Sequence, residues 1–354
     1  MDKKEYHVVG VMSGTSLDGI DLVQAKFYFN GDWRFEILNA ETMDYVDSWK
    51  LKLEGLVSDS MEELRNIDMD YTAYLGDAIN TFLKKHKIDG IDAVCSHGHT
   101  ALHQPERRLT YQIGNRSELA SFLDEKVVCD FRVQDVEFNG QGAPLVPIGD
   151  KLLFSEYDYC INLGGFANIS MDIDGVRVAY DICPMNIVLN YYAKKLGLDY
   201  DAEGVNASKG HLNDELLEAL NKLSFYKEPH PKSLGLEWVN VNVFPLIESF
   251  ELDVKDVLRT FVEHVAMQLA NQINSNVSSS ILITGGGAYN SFLIDRVREY
   301  TDSMVIIPSK DIIEFKEALI FGFLGVLKLR EEVNCLKSVT GATENHSSGR
   351  VFLP

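Results

Sequence analysis

An apolar run from His7 to Met12, a loop of Gly, Ser and Thr, and the alternating stretch Ile20 to Phe27 make the first clear pattern in the chain. The segment HVVGVMSGTSLDGIDLVQAKF (His7 to Phe27) therefore reads as strand, loop, strand. The same design recurs in YCINLGGFANISMDIDGVRVAYD (Tyr159 to Asp181). A Walker loop or a dinucleotide fingerprint requires a helix directly after its glycines, whereas Ile20 to Phe27 has the period of a strand. Loops of this kind hold phosphate with backbone N–H groups and hydroxyls, and two copies a domain apart point to a nucleotide gripped from both sides.

The pattern continues with a third strand over Trp33 to Tyr45 and helical spacing over Met61 to His86. A buried strand, Ile91 to Ser96, ends in the polar His97-Gly98-His99-Thr100. Ser117 to Glu125 reads as a short helix with Ser117 as N-cap, before the strand Val127 to Phe131 and the glycine-rich FNGQGAPLVP. The second half repeats the order. After its hairpin come helices Asn186 to Leu196, Asn213 to Leu223 and Leu252 to Ile273, strand Ser280 to Thr284, a Gly285-Gly286-Gly287 turn and helix Asn290 to Tyr300. A last helix, Ile313 to Glu331, has an apolar middle that predicts burial. The expected division is a first domain over 1–128 with the tail 333–354, and a second over 129–332, clamping a ligand between them.

Composition narrows the function. The 354 residues suffice for about two cored domains, and a formal charge of −20 disfavours nucleic acid and anionic membranes as partners. The five cysteines have no CxxC spacing, which fits a reducing cytoplasm. The longest apolar run, Ala318 to Leu327, is shorter than the ~18 residues of a membrane span. A soluble, cytoplasmic protein is the expectation.

The strings GVMSGTSLDGID (Gly10 to Asp21), SHGHT (Ser96 to Thr100), DFR (Asp130 to Arg132), GQGAPLVP (Gly140 to Pro147), INLGGFANIS (Ile161 to Ser170) and TGGGAYN (Thr284 to Asn290) occur in one order. In them the chain resembles the anhydro-N-acetylmuramic acid kinases, from about residue 8 to the VTGA ending at Ala342. That family belongs with actin, the heat-shock ATPases and the sugar kinases. The resemblance implies an α/β fold of two ribonuclease-H-like domains with an active-site cleft between them. It also implies ATP and Mg²⁺ as cofactors, an amino-sugar substrate and a homodimer. The implied reaction adds water across the anhydro bond of 1,6-anhydro-N-acetylmuramic acid and phosphorylates the freed O6.

By the same resemblance Asp181, Asp18 and Glu317 are the catalytic residues, with Asp181 as the general base. Gly14, Thr15, Ser16, Asp18 and Gly19 hold the phosphates, with Asp18 in the Mg²⁺ shell, and His97, Arg132 and Glu317 line the sugar site. Gly164, Gly165, Asn168 and Gly285 to Gly287 face the nucleotide from the second domain. Glu317 also stands out unaided, because a carboxylate on an apolar helix is costly unless paired. Blander roles compete for several of these residues. Glycines between strands often serve only tight turns, Asp21 can satisfy loop donors, and Cys183 between Ile182 and Pro184 reads as a buried structural thiol. His97, His99 and His103 match no standard zinc spacing.

The chain departs from the family where DTGPGN or DTGPAN becomes Asp181-Ile182-Cys183-Pro184-Met185-Asn186, where SHGQT carries His99, and where KSTGRE becomes KSLGLE (Lys232 to Glu237). Three readings follow: the family's own reaction, a kinase for a different amino sugar in a bulkier and drier pocket, and a non-catalytic nucleotide or sugar sensor. Retention of Asp181 favours an enzyme.

Overall fold

The computed structural model describes residues 3–14, 17–273 and 279–354, so Thr15 and Ser16 of the expected phosphate loop lie outside it. Its strands are β1 (Glu5–Ser13), β2 (Ile20–Asn30), β3 (Asp32–Met43), β4 (Ala93–Gln104), β5 (Leu109–Ile113), β6 (Val127–Cys129), β7 (Tyr159–Leu163), β8 (Phe166–Ile173), β9 (Val176–Pro184), β10 (Ser280–Thr284), β11 (Met304–Ile306) and β12 (Arg350–Phe352). Two compact units form, Met1–Leu153 with Phe315–Pro354, and Phe154–Glu314.

In the first unit the sheet order is β12-β6-β4-β1-β2-β3, with β5 folded back on β4. β1, β2 and β3 make an antiparallel meander, and β4 and β6 extend it in parallel from β1. The second unit has the order β11-β10-β7-β8-β9, again an antiparallel meander (β7, β8, β9) extended by two parallel strands. Both units thus have the α/β, ribonuclease-H-like strand order that the sequence led us to expect. Val8, Val9 and Val11 are essentially inaccessible, which explains why β1 reads as a continuous apolar run: both its faces are covered.

Local signals account for the long connecting helix Met61–His86. Ser60 and Glu63 form a reciprocal capping box, Glu62 and Glu63 sit in the first turn, and Lys84, Lys85 and His86 in the last. Its buried stripe Leu64, Tyr71, Leu75, Ile79 and Phe82 joins the core of the first unit. Ser117 occupies the N-cap position of helix Glu118–Leu123, but its hydroxyl donates to Glu118 at 3.1 Å rather than capping the backbone.

Two expectations differ from the structure. The segment Tyr159 to Asp181 holds three strands, because Asp174 and Gly175, both at positive φ, form a two-residue turn between β8 and β9. The units also divide at Leu153/Phe154 and Glu314/Phe315, not at 128/129 and 332/333. The physical reason lies in packing: Gly149 of helix Pro147–Leu153 lies against Ile320, where a Cβ would stand 2.7 Å from its Cγ atoms, so both segments belong with the first unit.

The apolar helix Lys310–Leu329 is the centre of that packing. Ala318, Leu319, Ile320, Phe321, Phe323, Leu324, Val326 and Leu327 are each at most 1% exposed. The helix lies directly on the strands: a Cβ on Gly10 of β1 would lie 2.0 Å from the Ala318 backbone carbonyl oxygen, and one on Gly325 would lie 2.2 Å from the side-chain Sγ of Cys95 on β4. Burial inside the protein uses up its apolar surface, and no helix among the described residues is long and apolar enough to cross a membrane. Gly10→Ala must push this helix off β1, so it is expected to destabilise the first unit by about 2 kcal/mol, seen as a lower chemical-denaturation midpoint. An unchanged midpoint contradicts the backbone contact.

Candidate active site

In the first unit β1 ends at Ser13. Leu17 N–H donates to the Gly14 carbonyl at 3.3 Å, and Leu17 has φ +60°. Gly19 is buried against β3, where a Cβ would meet Met43 O at 2.6 Å, so its lack of a side chain serves packing. Asp18 is exposed and is the carboxylate this turn presents to solvent. His99 stands opposite Ser13 in the β1–β4 register, and its Nδ1 lies 2.8 Å from Ser13 Oγ. Tyr45 and Tyr71 extend this buried chain of hydroxyls. Burial lowers the His99 pKa to about 4, so the ring is neutral near pH 7 and anchors the root of the loop.

His97, two residues earlier on β4, has a defined tautomer. Its Nδ1 lies 2.9 Å from the Gly98 carbonyl, which only accepts, and its Nε2 lies 2.8 Å from Arg132 Nε, which only donates. Nδ1 therefore carries the proton and Nε2 accepts. Burial, and then the Arg132 charge, holds the His97 pKa well below the usual imidazole value. Arg132 spends a second donor, Nη1, on the Gly142 carbonyl at 2.7 Å. Phe321 backs both groups: its ring centroid is 4.6 Å from that of His97 and 6.0 Å from the guanidinium carbon.

Glu317 lies one helical turn before Phe321. Its residue remains open to solvent, yet desolvation by the surrounding chain raises the carboxyl above the usual range, while Arg132 and Lys316 pull it back. Next to it, Lys316 forms a buried ion pair with Asp150 at 2.6 Å, which fixes the helix at this point. His97, Arg132 and Glu317, expected to act together, are thus brought together within one unit.

In the second unit the register of the sheet lines up Asn162, Asn168 and Asp181 as direct cross-strand partners on β7, β8 and β9. Partners of this kind share a face, and all three are half-buried. The β8–β9 ladder shifts register at Ala167/Asn168, an irregularity of the sort that re-aims side chains. Asp181 Oδ2 accepts from Leu234 N–H at 2.8 Å. Burial raises the Asp181 pKa, and that N–H opposes the rise.

The glycines of this unit separate into two kinds. Gly285 has φ +80°, and a Cβ there would fall 2.5 Å from Asn162 Oδ1, so both conformation and space demand glycine. Gly287 is packed against Leu163 and Met185. Gly165 and Gly286 have nothing within 4 Å of a Cβ position and offer bare backbone to a ligand, while Gly164 lies 3.3 Å from Asn162 Nδ2 on the same measure. Asn162 was missed by sequence reasoning; its signal was a lone amide in the apolar strand YCINL directly before two glycines.

Ile182, Cys183 and Met185, the residues that depart from the family spelling, are at most 1% exposed and belong to the hydrophobic core of this unit. They line no solvent-accessible surface, and burial pushes the Cys183 thiol pKa far up. All five cysteines are buried, and none forms a disulfide.

Residues 6–354 match the protein family described as anhydro-N-acetylmuramic acid kinase. A protein of that name from Sulfurovum sp. (strain NBC37-1) is 32% identical over 100% of both chains. Another from Haemophilus influenzae (strain ATCC 51907 / DSM 11121 / KW20 / Rd) is 31% identical over 99% of each. Among solved structures, component A of (R)-2-hydroxyglutaryl-CoA dehydratase from Acidaminococcus fermentans aligns over 89% of this chain and 95% of its own, with 13% identity and a TM-score of 0.46.

The His97 tautomer can be measured directly. Long-range ¹⁵N–¹H correlation spectra are expected to show His97 neutral with its proton on Nδ1 as the pH falls through 6.5, the ordinary imidazole value. Protonation of both nitrogens near that pH contradicts the assigned hydrogen bonds.

Proposed function

The chain belongs to the anhydro-N-acetylmuramic acid kinase family, and on that premise we propose how its residues divide the work of the reaction. It is a sugar kinase of peptidoglycan recycling. The proposed reaction takes 1,6-anhydro-N-acetylmuramic acid, water and ATP to N-acetylmuramic acid 6-phosphate and ADP. The water oxygen bonds to C1 as the C1–O6 bond breaks, and O6 takes the terminal phosphoryl group.

Asp181 carries this reading. A general base needs a fixed carboxylate with a pKa moved toward the working range, and Asp181 is half-buried, oriented by Leu234 N–H and raised by burial. In its ionised form it takes a proton from the attacking water. Asn168 stands beside it and Asn162 one strand further along the same face of the sheet, as amides able to hold a sugar or phosphate oxygen.

On the first unit, Arg132 has Nε and Nη1 committed to His97 and Gly142, which leaves Nη2 to meet a carboxylate such as the lactyl group of the sugar. His97 supports this arrangement by accepting from Nε. Glu317, with its raised pKa and its access to solvent, is placed to hydrogen-bond a sugar hydroxyl.

The residues fit a nucleotide and its metal. Gly165 and Gly286 leave open backbone, and Asp18 is an exposed carboxylate at the end of the β1 turn. Bound magnesium would supply neutralisation of phosphate charge. Asp18 would hold it, and Gly14, Thr15 and Ser16 would meet the phosphates. A homodimer completes the proposal on the strength of the family resemblance, and sedimentation equilibrium checks it.

Asp181→Asn is expected to retain sugar and nucleotide binding by calorimetry and to lose at least ~100-fold in turnover, the usual size of a general-base effect. Near-normal turnover sinks Asp181 as the base. The base works only when ionised and its pKa is raised, so kcat should fall on the acid side at a pH above the ordinary carboxyl value of 3.8. An acid limb that persists unchanged in a slow Asp181→Asn enzyme would belong to another group. Arg132→Ala is expected to raise KM for the sugar far more than KM for ATP; equal changes would remove Arg132 from the sugar.

A further inference from the structure

Asp135 is fully buried on the short helix Val133–Glu137, just beyond Arg132, and both its carboxylate oxygens are occupied. Oδ2 accepts from Gly142 N–H at 2.7 Å. Oδ1 accepts from the Thr340 hydroxyl at 2.7 Å and the Cys335 thiol at 3.0 Å. Gly140 closes in from a further side, where a Cβ would fall 2.1 Å from Oδ2.

The C-terminal segment is built to deliver these donors. Cys335 and His346 form an antiparallel bridge and exchange both backbone hydrogen bonds, at 3.1 and 3.2 Å, so their side chains fall on one side. His346 Nδ1 lies 3.0 Å from the Glu344 carbonyl, and its Nε2 faces Asp135 Oδ1 at 3.6 Å. Gln141 N–H donates to the Thr340 carbonyl at 2.8 Å and ties the glycine-rich loop to the same segment. Asp135, Cys335 and His346 bring three potential metal-ligand atoms within 4.8 Å of one another. The carboxylate oxygen at their centre already serves a hydroxyl and a thiol, so the cluster is a hydrogen-bond hub.

Gly142 is the link outward. Its N–H is held by Asp135 and its carbonyl accepts from Arg132 Nη1, so one residue of the loop joins the buried hub to the guanidinium. We propose that Asp135 is a positioning residue: anchored by Thr340 and Cys335, it fixes the Gly142 turn and through it aims Arg132 at the sugar's carboxylate. The proposal rests on Arg132 as the sugar's partner. An Asn at this position would turn an N–H₂ toward one of the existing donors and leave that donor unsatisfied, which loosens the turn without changing side-chain size.

The test is a double-mutant cycle on the full chain, with 1,6-anhydro-N-acetylmuramic acid and ATP binding each measured by calorimetry. Asp135→Asn and Arg132→Lys are each expected to weaken sugar binding about tenfold while ATP binding stays within about twofold. In the double variant the sugar should bind no worse than to Arg132→Lys alone, because Asp135 acts only through Arg132. If Arg132→Lys leaves sugar affinity unchanged, Arg132 is not the sugar's partner and the proposal falls with that reading. If Arg132→Lys weakens the sugar but Asp135→Asn does not, or adds its full effect in the double variant, the relay alone is overturned. Should Asp135→Asn fail to fold, Thr340→Val removes a single donor. A loss of a few fold in sugar affinity that vanishes in the Arg132→Lys background supports the relay, and a loss that persists there overturns it.

Discussion

The backbone contact between β1 and the Lys310–Leu329 helix sets the position of much of the first unit's chemistry. With no side chain at Gly10, the helix descends until the Ala318 carbonyl lies where a Cβ would otherwise stand. Glu317 immediately precedes that contact, and Phe321 follows it by less than a turn. The Lys316–Asp150 ion pair and the Gly149–Ile320 contact hold the helix on its neighbouring segment. A side chain at Gly10 would lift the helix and carry Glu317 and Phe321 away from Arg132 and His97. Stability and chemistry therefore share one contact, and core packing is unforgiving of extra volume.

Within that frame the polar groups are held by several hydrogen bonds each. His97 uses both ring nitrogens, Arg132 is held at two of its donors, and Asp135 satisfies three donors without solvent. Buried polar groups left unpaired cost free energy, so such networks admit few alternative arrangements. The second unit builds from the same strand order. There the sheet register sets Asp181 beside Asn168 and Asn162, and Leu234 N–H orients the carboxylate.

Much of the fold could be read from the chain because it rests on local signals. The Met61–His86 helix carries its own capping box and amphipathic stripe, and β1 and β2 carry strand patterning around a polar turn. What escaped was decided by distant partners. The three-residue β12 exists only because β6 offers it an edge, and the division at Leu153 follows from packing on a helix far along the chain. In the site, sequence alone does not separate a glycine that admits a ligand from one that admits a neighbour. Gly165 and Gly286 are open, whereas Gly19 and Gly287 are filled by their own protein. Ile182 and Met185 looked like changes to a pocket because they lie near Asp181 in sequence, but they point into the core, as Cys183 was expected to. His99 likewise bonds inward to Ser13.

The most direct test of the central claim is turnover in ¹⁸O-labelled water with ATP, Mg²⁺ and 1,6-anhydro-N-acetylmuramic acid, following ADP release and the mass of the sugar phosphate. N-acetylmuramic acid and N-acetylglucosamine serve as parallel substrates. The account predicts ADP release with the anhydro sugar and one labelled oxygen in the product, because water opens the C1–O6 bond as O6 is phosphorylated. Turnover confined to the other sugars, or a product without label, would contradict it.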